Sequence, residues 1–483
     1  MGSDLKMVPI GELCDFLSGF AFKSEDLKGN SGIPVVKIKN VNNKVVTLED
    51  MQFFPENKLD SKISRFLLSD GDVLIAMTGQ GSVGRVGRLT KPNESKLLLN
   101  QRVGKFIPKK AVACLDYIYY VLSSEKYEKI LFNAATGSGQ PNLSPAVINA
   151  IYIPFIPLEE QIAVSRILSG IDKKILLNCQ INQTLEQMAQ TLFKSWFVDF
   201  DPAIDNALDA GFFEQDLAFS EELLRRVEVR KAVRESDNFK PLPEDIRQLF
   251  PDAFEECAEP ALGVGGWMPK GWITTSLENV TSLIIDHRGK TPNKLGGEWS
   301  KKGYPAISAK NIKNGRLIRP DTIRYVDSKL YAKWMKDPLC AGDILMTSEA
   351  PVGELLYLVK DCEYLLSQRL YGIRANKEII SGSYLYFWLQ TNIARADIDG
   401  RATGTTVVGI RQSELKQLKV MVPINAVVDV FSNLTDSYLK KAQSNEKQIL
   451  ELESLRDTLL PKLISGELSL SDVKIDNPEE TLI

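Results

Sequence analysis

Histidine is almost absent from this sequence, since His287 is the single one among 483 residues. One imidazole cannot build a multi-histidine metal site or a pair of imidazole acid–base groups. We interpret His287 as a surface or loop residue beside Asp286 and Arg288. The enzyme classes that depend on several histidines are therefore excluded.

Long hydrophobic runs and closely spaced cysteines are also missing. No run approaches the roughly 20 apolar residues that would span a bilayer, and the start, MGSDLKMVPI, has no apolar export signal. The six cysteines are scattered without a C-x-x-C pair, which argues against a zinc site and a disulfide framework and favours reduced, buried thiols. We expect a cytoplasmic protein with no metal and no membrane segment.

An excess of positive charge is absent too, because the net charge is −3 at pH 7. If the chain binds nucleic acid, its positive surface must be local, or partners must share the binding. A content of 44% hydrophobic and 25% charged residues is typical of a globular protein, and 483 residues exceed one ordinary core. Two or more domains are expected.

The most informative pattern present is an internal repeat with a period of roughly 270 residues. Its landmarks recur in the same order: DGDVLIAMT (70–78) and AGDILMTSE (341–349), LLNQRV (98–103) and LLSQRL (365–370), DYIYYVL (116–122) and SYLYFWL (383–389), and Ala-Thr-Gly (135–137 and 402–404). Chance would not preserve this order, so we interpret the chain as a duplication of one unit. Short β-branched runs between Gly, Pro and Asn predict strands in each copy, with one or two helices among them.

Each copy closes with a long helical pattern, over about residues 158–197 and 424–463. Apolar residues at three- and four-residue steps predict a coiled-coil seam, and each helix supplies the other's partner. Met188, Leu434 and Leu455 are placed on the same stripe. Asn178 and Asn445 occupy equivalent positions; we interpret them as lying on the rim, the alternative being a buried pair that fixes register. The predicted seam residues are Ile171, Ile175, Asn178, Leu185, Leu192, Tyr438, Asn445, Leu452 and Leu459.

Between the first helix and the second copy lies a stretch rich in acidic residues, Ala and Pro. We predict a short charged helix at 221–234 and interpret the whole stretch as a connector, not a third domain. The predicted divisions are 1–155, the first strand-rich domain; 156–199, the first long helix; 200–265, the connector; 266–421, the second strand-rich domain; 422–468, the second long helix; and 469–483, a tail.

One motif, Gly79-Gln-Gly81-Ser-Val-Gly84, matches the G-x-G-x-x-G of dinucleotide sites. A dinucleotide site requires a helix directly afterwards, whereas Gly87 and Pro92 oppose one here. We interpret the motif as a flexible, donor-rich loop that can approach DNA closely. The Walker, H-E-x-x-H and G-x-S-x-G motifs are absent, so we expect no catalytic residue and no cofactor on this chain.

A basic stretch distinguishes the second copy: between residues 286 and 324 there are ten Lys or Arg and only three acidic residues. Loops of this composition can neutralise phosphates and present side chains to base edges. Gln101-Arg102 and Gln368-Arg369 match between the copies, which fits either a shared structural bond or base reading. The predicted DNA-contact residues are Lys37, Lys39, Asn40, Gly79, Gln80, Arg85, Arg102, Lys294, Lys301, Lys302, Lys310, Asn311, Lys313 and Arg369.

Together these features resemble the specificity (S) subunits of type I restriction–modification enzymes. The resemblance spans nearly the whole chain and is carried by GDVLIAMTG, by Asn100-Gln101-Arg102, by IPFIPLEEQIAVSRIL, by LFKSWFVDFDP, by LFPDAFE with PKGW, and by LRDTLLPKLISGEL near the end. It implies an α+β fold: two tandem α/β target-recognition domains separated by two long antiparallel helices that form a coiled coil, with a pseudo-twofold internal repeat.

The same resemblance implies a non-catalytic subunit that recognises a split, asymmetric site on double-stranded DNA, one domain per half-site. The helices would fix the spacer and dock two modification (methyltransferase) subunits, and restriction/translocase subunits would join that core. S-adenosylmethionine, ATP and Mg²⁺ would be used on those other subunits. The alternatives are a coiled-coil scaffold without a DNA role and a fused nuclease or methyltransferase chain, for which no catalytic motif is visible.

Overall fold

The computed structural model of the chain describes residues 6–27, 30–91, 95–135, 141–404, 407–465 and 467–468. The chain divides into unit 1, residues 1–178 with 447–483, and unit 2, residues 179–446. Each unit thus takes one part of each long helix. Thr136 and Gly137 of the predicted Ala-Thr-Gly landmark, and the predicted tail 469–483, lie outside the described residues.

The strand-rich part of unit 1 combines short strands with a few helices. Its strands are β1 (Met7–Pro9), β2 (Cys14–Ser18), β3 (Ile33–Val36), β4 (Lys44–Val45), β5 (Gln52–Phe54), β6 (Val73–Ala76), β7 (Val86–Arg88), β8 (Leu98–Leu99), β9 (Val103–Pro108) and β10 (Tyr152–Pro154). Its helices are α1 (Ile10–Leu13), α2 (Ser61–Ser64), α3 (Leu115–Leu122), α4 (Glu125–Ala134), α5 (Pro145–Asn149) and the start of α6 (Leu158–Phe193).

The strands of unit 1 form two principal sheets, with orders β2-β9-β6-β7-β4 and β5-β3-β8. Pairing is antiparallel except between β3 and β8 and between β4 and β7. All of β6 is buried because it lies inside the larger sheet. Helix α3 buries Tyr117, Ile118 and Leu122 in the same core, which also receives Leu460 and Leu463 from the second long helix.

Unit 2 repeats these elements and adds several. Its strands are β11 (Phe254–Glu256), β12 (Trp267–Pro269), β13 (Ile273–Ser276), β14 (Thr281–Asp286), β15 (Tyr304–Ile307), β16 (Ile312–Lys313), β17 (Arg316–Leu317), β18 (Arg324–Val326), β19 (Ile344–Thr347), β20 (Leu355–Tyr357), β21 (Leu365–Leu366), β22 (Leu370–Ala375) and β23 (Lys419–Val422). Its helices are α7 (Asp201–Asp209), α8 (Glu221–Arg234), α9 (Glu244–Arg247), α10 (Ser328–Trp334), α11 (Gly382–Leu389), α12 (Asn392–Arg401), α13 (Gln412–Lys416) and most of α14 (Asn425–Ser465).

The predicted duplication is confirmed strand by strand. The order β14-β22-β19-β20 repeats β2-β9-β6-β7, and β18-β15-β21 repeats β5-β3-β8, including one parallel pair in each. Helices α11, α12 and α13 follow β22 as α3, α4 and α5 follow β9. The mixed α and β composition of both copies agrees with the predicted α+β class.

The stretch interpreted as a connector is folded into unit 2. The predicted charged helix is present as α8, residues Glu221–Arg234. Ile204 of α7, Leu223 of α8 and Phe254 of β11 are buried in one hydrophobic cluster with Trp272 and Phe431. Because this packing removes apolar side chains from water, the stretch is a structural part of unit 2 and not an open linker.

Ion pairs hold α7 against α8. The carboxylates of Asp201, Asp205 and Asp209 lie four residues apart on α7 and pair with Arg226, Arg230 and Arg234, which have the same spacing on α8. Residue numbers rise together on the two helices, so α7 and α8 run parallel. The high proportion of charged residues that suggested a connector thus belongs to a matched helix pair.

The two long helices pack against each other within each unit. In unit 1, Asp172 pairs with Arg456 at 2.7 Å, and the Asn178 side-chain amide donates to Oε1 of Gln448 at 2.7 Å. In unit 2, the Asn182 and Asn445 side chains are joined at 2.8 Å. Residue numbers rise along α6 while they fall along α14 in both units, so the helices are antiparallel, as predicted.

A stripe of buried and partly buried residues follows alternating steps of three and four along both helices, as a coiled-coil seam requires. The predicted seam residues all lie on it: Ile171, Ile175, Asn178, Leu185, Leu192, Tyr438, Asn445, Leu452 and Leu459. A π-helical turn, Lys194–Val198, continues α6 and brings Trp196 and Phe197 into the core of unit 2.

Three residues assigned to the stripe are instead exposed: Met188 at 48%, Leu434 at 38% and Leu455 at 45%. Ala189 is buried in place of Met188, and Arg456 points inward in place of Leu455, with a side chain only 11% exposed. The apolar stem of Arg456 packs in the seam between the helices, and its guanidinium forms an ion pair with Asp172. An arginine can therefore occupy this inward position.

The rim interpretation of Asn178 and Asn445 is wrong, because they are only 6% and 1% exposed. They do not pair with each other: Asn178 bonds to Gln448, and Asn445 bonds to Asn182. Each unit therefore contains its own buried amide contact, which favours one register because slipping the helices would leave these groups unpaired.

Candidate nucleic-acid interface

In unit 1, several turns meet at one end of the sheets. The Met77 amide donates to the Arg102 carbonyl at 2.9 Å, and the Asn100 amide donates to the Val36 carbonyl at 3.1 Å. Gly19 is required here, because a Cβ atom would lie 2.2 Å from the Asn100 carbonyl oxygen. We call the turns 19–22, 37–40, 77–85 and 100–102 the turn edge of unit 1.

Unit 2 has the same backbone arrangement. The Ser348 amide donates to the Arg369 carbonyl at 2.9 Å, as Met77 does to Arg102, and the Ser367 amide donates to the Ile307 carbonyl at 2.9 Å. The turns 286–289, 308–311, 348–354 and 367–369 form the turn edge of unit 2. A duplicated scaffold thus presents two equivalent sets of turns.

The G-x-G-x-x-G stretch of unit 1 is a hairpin turn. It joins β6 to β7, which are antiparallel neighbours, so no helix follows it and the dinucleotide reading fails on geometry. Gly79 has a φ of +108°, which glycine adopts readily. Gln80 is exposed and Arg85 is partly exposed in this turn.

Only some of the predicted contact residues come together at the turn edges. Lys39, Gln80 and Arg102 are exposed at the edge of unit 1, and Lys310 and Arg369 are exposed at the edge of unit 2. Such exposed side chains are free to approach a nucleic acid without breaking the core.

Other predicted residues lie elsewhere or have protein partners. Lys301 and Lys302 precede β15 whereas Lys310 follows it, so they lie at opposite ends of that strand. The Lys294 ammonium donates to the Gly289 carbonyl at 2.9 Å. Lys313 is exposed in the β16–β17 hairpin.

Lys37 is tied to the protein as well, because its ammonium donates to Gln52. Partial burial and the nearby charge of Lys39 lower the pKa of Lys37. Its charge is thus already engaged beside β5, and Lys39 is the better placed of the two for a ligand.

Asn40 and Asn311 are structural residues. They are 2% and 0% exposed, and each caps a short 3₁₀ helix through hydrogen bonds to nearby backbone groups. The amide of Asn40 donates to the Glu49 carbonyl at 3.0 Å, and that of Asn311 to the Thr322 hydroxyl at 3.0 Å. Base contact would require breaking these buried bonds, so we remove both from the DNA-contact set.

The repeated Gly-Asp motif is also structural. Asp72 and Asp343 each accept the amide of a residue three positions earlier at 2.8 Å. Asp72 pairs with Lys105 at 2.6 Å, and Asp343 pairs with Arg374 at 2.7 Å. Each buried carboxylate therefore ties the turn before the central strand to the neighbouring strand.

His287 lies in the loop after β14, one of the two predicted places, but it is not on the surface, because it is only 7% exposed. Burial and then the nearby Lys290 lower its pKa to about 4, against the opposing influence of Asp286, of a hydrogen bond to the Leu366 carbonyl and of Asp337. The ring is therefore neutral at physiological pH and serves as part of the turn-edge core.

No local pattern in the sequence indicated that Asp286, Arg288, Glu349, Arg369 and Tyr371 would lie near one another. Arg288 lies over the Tyr371 ring, 4.8 Å from its centroid, and pairs with Asp286 at 2.6 Å. Arg369 pairs with Glu349 at 2.6 Å. These residues come from separate strands and turns, so spacing along the chain could not reveal the cluster.

Among the described residues, no helix is long and apolar enough to cross a membrane, and no group of three or more His, Cys, Asp or Glu could hold a metal ion. Cys14, Cys257 and Cys362 are buried, as expected, whereas Cys114, Cys179 and Cys340 are partly exposed.

Two equivalent recognition scaffolds joined to paired helices define a duplicated specificity protein. The family model for the type I restriction modification DNA specificity domain matches residues 2–187 and 269–453. The chain belongs to this family and carries two of its domains in tandem.

Similar proteins agree with this assignment. The specificity subunit of the type I restriction enzyme HindI from Haemophilus influenzae is 27% identical over 382 residues, covering 75% of this chain and 79% of that protein. That of MjaIX from Methanocaldococcus jannaschii is 23% identical over 408 residues, covering 83% and 78%. The crystal structure of the S subunit from M. genitalium shares the fold, with a TM-score of 0.53 and 14% identity over 96% of this chain and 97% of that one.

Proposed function

We propose that the chain is the DNA-sequence-specificity subunit of a cytoplasmic type I restriction–modification complex, with each unit reading one half of a split site on double-stranded DNA. The observation that carries this proposal is the repeated turn edge. The same backbone bonds present exposed Lys39, Gln80 and Arg102 in one unit and Lys310 and Arg369 in the other. Lys39 and Arg102 have the same residue types as their counterparts Lys310 and Arg369, whereas Thr78 and Gly104 of unit 1 stand where unit 2 has Glu349 and Tyr371. A shared scaffold on which some side chains differ suits two half-sites of different sequence.

The catalytic work is assigned to partners in this proposal. Two methyltransferase subunits would bind S-adenosylmethionine, and restriction/translocase subunits would use ATP and Mg²⁺. Exposed apolar side chains on the long helices support docking: Ile162, Leu176 and Leu177 are 42%, 56% and 54% exposed in unit 1, and Met188 and Leu434 are 48% and 38% exposed in unit 2. Large apolar side chains in water are stabilised when a partner covers them.

The decisive experiment maps methylated adenines in DNA from cells that contain the methyltransferase subunits, with and without this chain. We expect a chain-dependent split motif with a fixed gap. Exchange of residues 266–421 for those of a relative should change one half only. The wider exchange of 200–421 is the control for folding. It transfers α7 and α8 together with the domain against which they pack, so that their shared core is not divided between two proteins. Methylation that is independent of the chain would favour the scaffold alternative.

The spacer role of the helices has its own test. Insertion of one heptad after Asn178 and one before Lys447 lengthens both helices by about 10 Å while keeping each buried amide pair within its unit. The proposal expects a changed spacer, by about 3 base pairs at 3.4 Å each, with both half-sites unchanged. Insertion in one helix alone is the control and should abolish methylation. An unaltered spacer in the double insertion would refute the spacer role.

A further inference from the structure

The turn edges of the two units can be compared position by position through their strand registers. Asp286 faces Tyr371 across the β14–β22 pair, as Ser18 faces Gly104 across the β2–β9 pair. Arg288 therefore corresponds to Phe20, two residues beyond these pairs. The chain thus contains its own reference for deciding which side chains belong to the shared scaffold and which belong to one unit alone.

The same comparison relates the opposite side of each edge. Glu349 and Arg369 of unit 2 correspond to Thr78 and Arg102 of unit 1, because Ser348 bonds to Arg369 as Met77 bonds to Arg102. Of the cluster Asp286, Arg288, Glu349, Arg369 and Tyr371, only the arginine at 369 has a counterpart of its own type in unit 1. The two edges share their strand register and several backbone bonds, whereas this cluster is specific to unit 2.

The cluster of unit 2 is rigidly built. Arg288 uses its Nε and Nη2 atoms on Asp286, at 3.0 and 2.6 Å, and lies over the Tyr371 ring. The Tyr371 hydroxyl in turn donates to the Ile410 carbonyl at 2.9 Å. The pKa of Arg288 is raised mainly by its hydrogen bond to Asp286 and also by the charge of Glu349. Glu349 is therefore close enough to Arg288 for the two ion pairs to belong to one site.

Arg369 is the member best placed to contact a ligand. Its Nε atom lies 2.6 Å from the Glu349 carboxylate, and its side chain is 52% exposed. Because Glu349 is engaged through Nε, the exposed Nη1 and Nη2 end of the guanidinium fork is the part that faces a ligand in this inference. The φ of Arg369 is +72°, a left-handed conformation that costs free energy in a non-glycine residue and is found preferentially at functional sites.

The charge balance distinguishes base reading from phosphate binding. Two arginines and two carboxylates leave the cluster with no net charge, whereas phosphate neutralisation needs net positive charge. A fixed guanidinium fork matches the O6 and N7 acceptors of guanine, and a carboxylate accepts from the N4 amino group of cytosine. The cluster therefore offers both donors and acceptors that suit one type of base pair.

Unit 1 cannot form this arrangement. Gly104 stands at the position of Tyr371, and a Cβ atom there would lie 1.9 Å from the Phe16 ring, which fills the space. Thr78 and Ser18 replace the two carboxylates, so Arg102 lacks an acidic partner at the position of Glu349, and Phe20 stands where unit 2 has Arg288. The two edges thus differ in chemistry while sharing their strand register.

We propose that the cluster formed by Asp286, Arg288, Glu349, Arg369 and Tyr371 reads a G·C base pair in the half-site of unit 2, with Arg369 donating to the guanine and Glu349 holding its fork. This inference rests on the proposed DNA-specificity function. It adds a named base pair and a named residue set, of which only Arg369 has a counterpart of its own type in unit 1.

The test uses the full chain assembled with its methyltransferase subunits and a DNA library in which each position of the methylated motif is varied. The half read by unit 2 should contain a required G·C pair. Arg369→Ala should relax the preference at that pair by about 10-fold to 100-fold and leave the other half unchanged. Arg369→Lys, which keeps the charge but loses the fork, should relax it similarly. Arg102→Ala is the matched control and should leave this half unaltered.

A second variant separates base reading from folding. Glu349→Gln releases Arg369 and leaves one positive charge uncompensated, so discrimination at the G·C pair should fall while binding to unrelated DNA becomes tighter and more sensitive to salt. Equal loss of methylation at all sequences in Arg369→Ala and Arg369→Lys, an unchanged motif, or a unit 2 half without a required G·C pair would each overturn the inference. Absence of any chain-dependent motif with the unaltered protein would instead overturn the proposed function itself.

Discussion

Acidification from pH 7 to pH 4 should destabilise unit 2 through one imidazole. His287 is buried, and its pKa is lowered to about 4 by burial and by Lys290, with Asp286 and Asp337 acting in the opposite direction. The unfolded chain takes up this proton near pH 6.5, whereas the folded chain does so only near pH 4. The contribution is therefore fully present above pH 6.5 and is lost as the pH falls towards 4.

The size of this effect follows from the two pKa values. The difference between 6.5 and about 4 corresponds to about 3 kcal/mol of stability lost across that range. For a unit of this size, 3 kcal/mol lowers the Tm by about 6–12 °C. Neighbouring carboxylates also titrate near pH 4, so a variant without the imidazole is needed to isolate its share.

Two measurements check this prediction. Because the chain has a single histidine, the imidazole signals in an NMR titration belong to His287 without further assignment. Melting curves of the wild type and of His287→Gln, recorded from pH 7.5 to pH 4, should converge or cross as the wild type alone loses stability. An imidazole that titrates near or above pH 6.5, or a constant difference between the two curves, would refute the reasoning.

Three further perturbations test the packing. Asn445→Leu removes the donor to the buried Asn182 carbonyl and should cost about 1–3 kcal/mol in urea unfolding, most of which Asn182→Leu should restore; additive costs would contradict the pairing. Arg456→Met keeps the stem but deprives Asp172 of its partner, and we expect a loss of about 1–3 kcal/mol after allowance for the partial exposure of Asp172; an unchanged melting temperature would contradict an inward Arg456. Partial burial opposes ionisation of Asp209, but its arginine partners lower its pKa, so its stabilisation is present above pH 3.8 and is lost as the pH falls through the folded value. Asp209→Asn should therefore show a shallower loss of stability below pH 4 than the wild type, and an equally steep loss would count against this ion pair.

The duplication and the long helices were predictable because their signals are local and repeated. Steps of three and four residues define an inward stripe from sequence alone, and helix α8 begins and ends where it was predicted. The pattern did not decide which of two adjacent residues points towards the partner helix. Leu455 is the more apolar neighbour, yet Arg456 points inward because Asp172 is opposite it.

The side-chain environment of the turn edges could not be read in the same way. Asn40 and Asn311 follow lysines in segments whose polar composition suggests exposure. Their side-chain amides, however, form the hydrogen bonds that cap two short helices. The pairing of Glu349 with Arg369 joins residues 20 positions apart through a strand register that no local pattern reveals. The packing of the connector could not be predicted, because its charges are matched between two separate helices, α7 and α8.

The division of the chain into units has a consequence for its synthesis. Unit 1 is completed by residues from 447 onward, and the 268 residues of unit 2, 179–446, lie between its two parts in the chain. At about 5–20 residues per second, the first 178 residues wait roughly 14–57 s before Leu460 and Leu463 have been synthesised and can join the core. During that interval the inward face of the first helical segment is uncovered, whereas unit 2 is made without interruption. The first recognition domain to be translated is thus the last to be finished, and its folding depends on the second having been made.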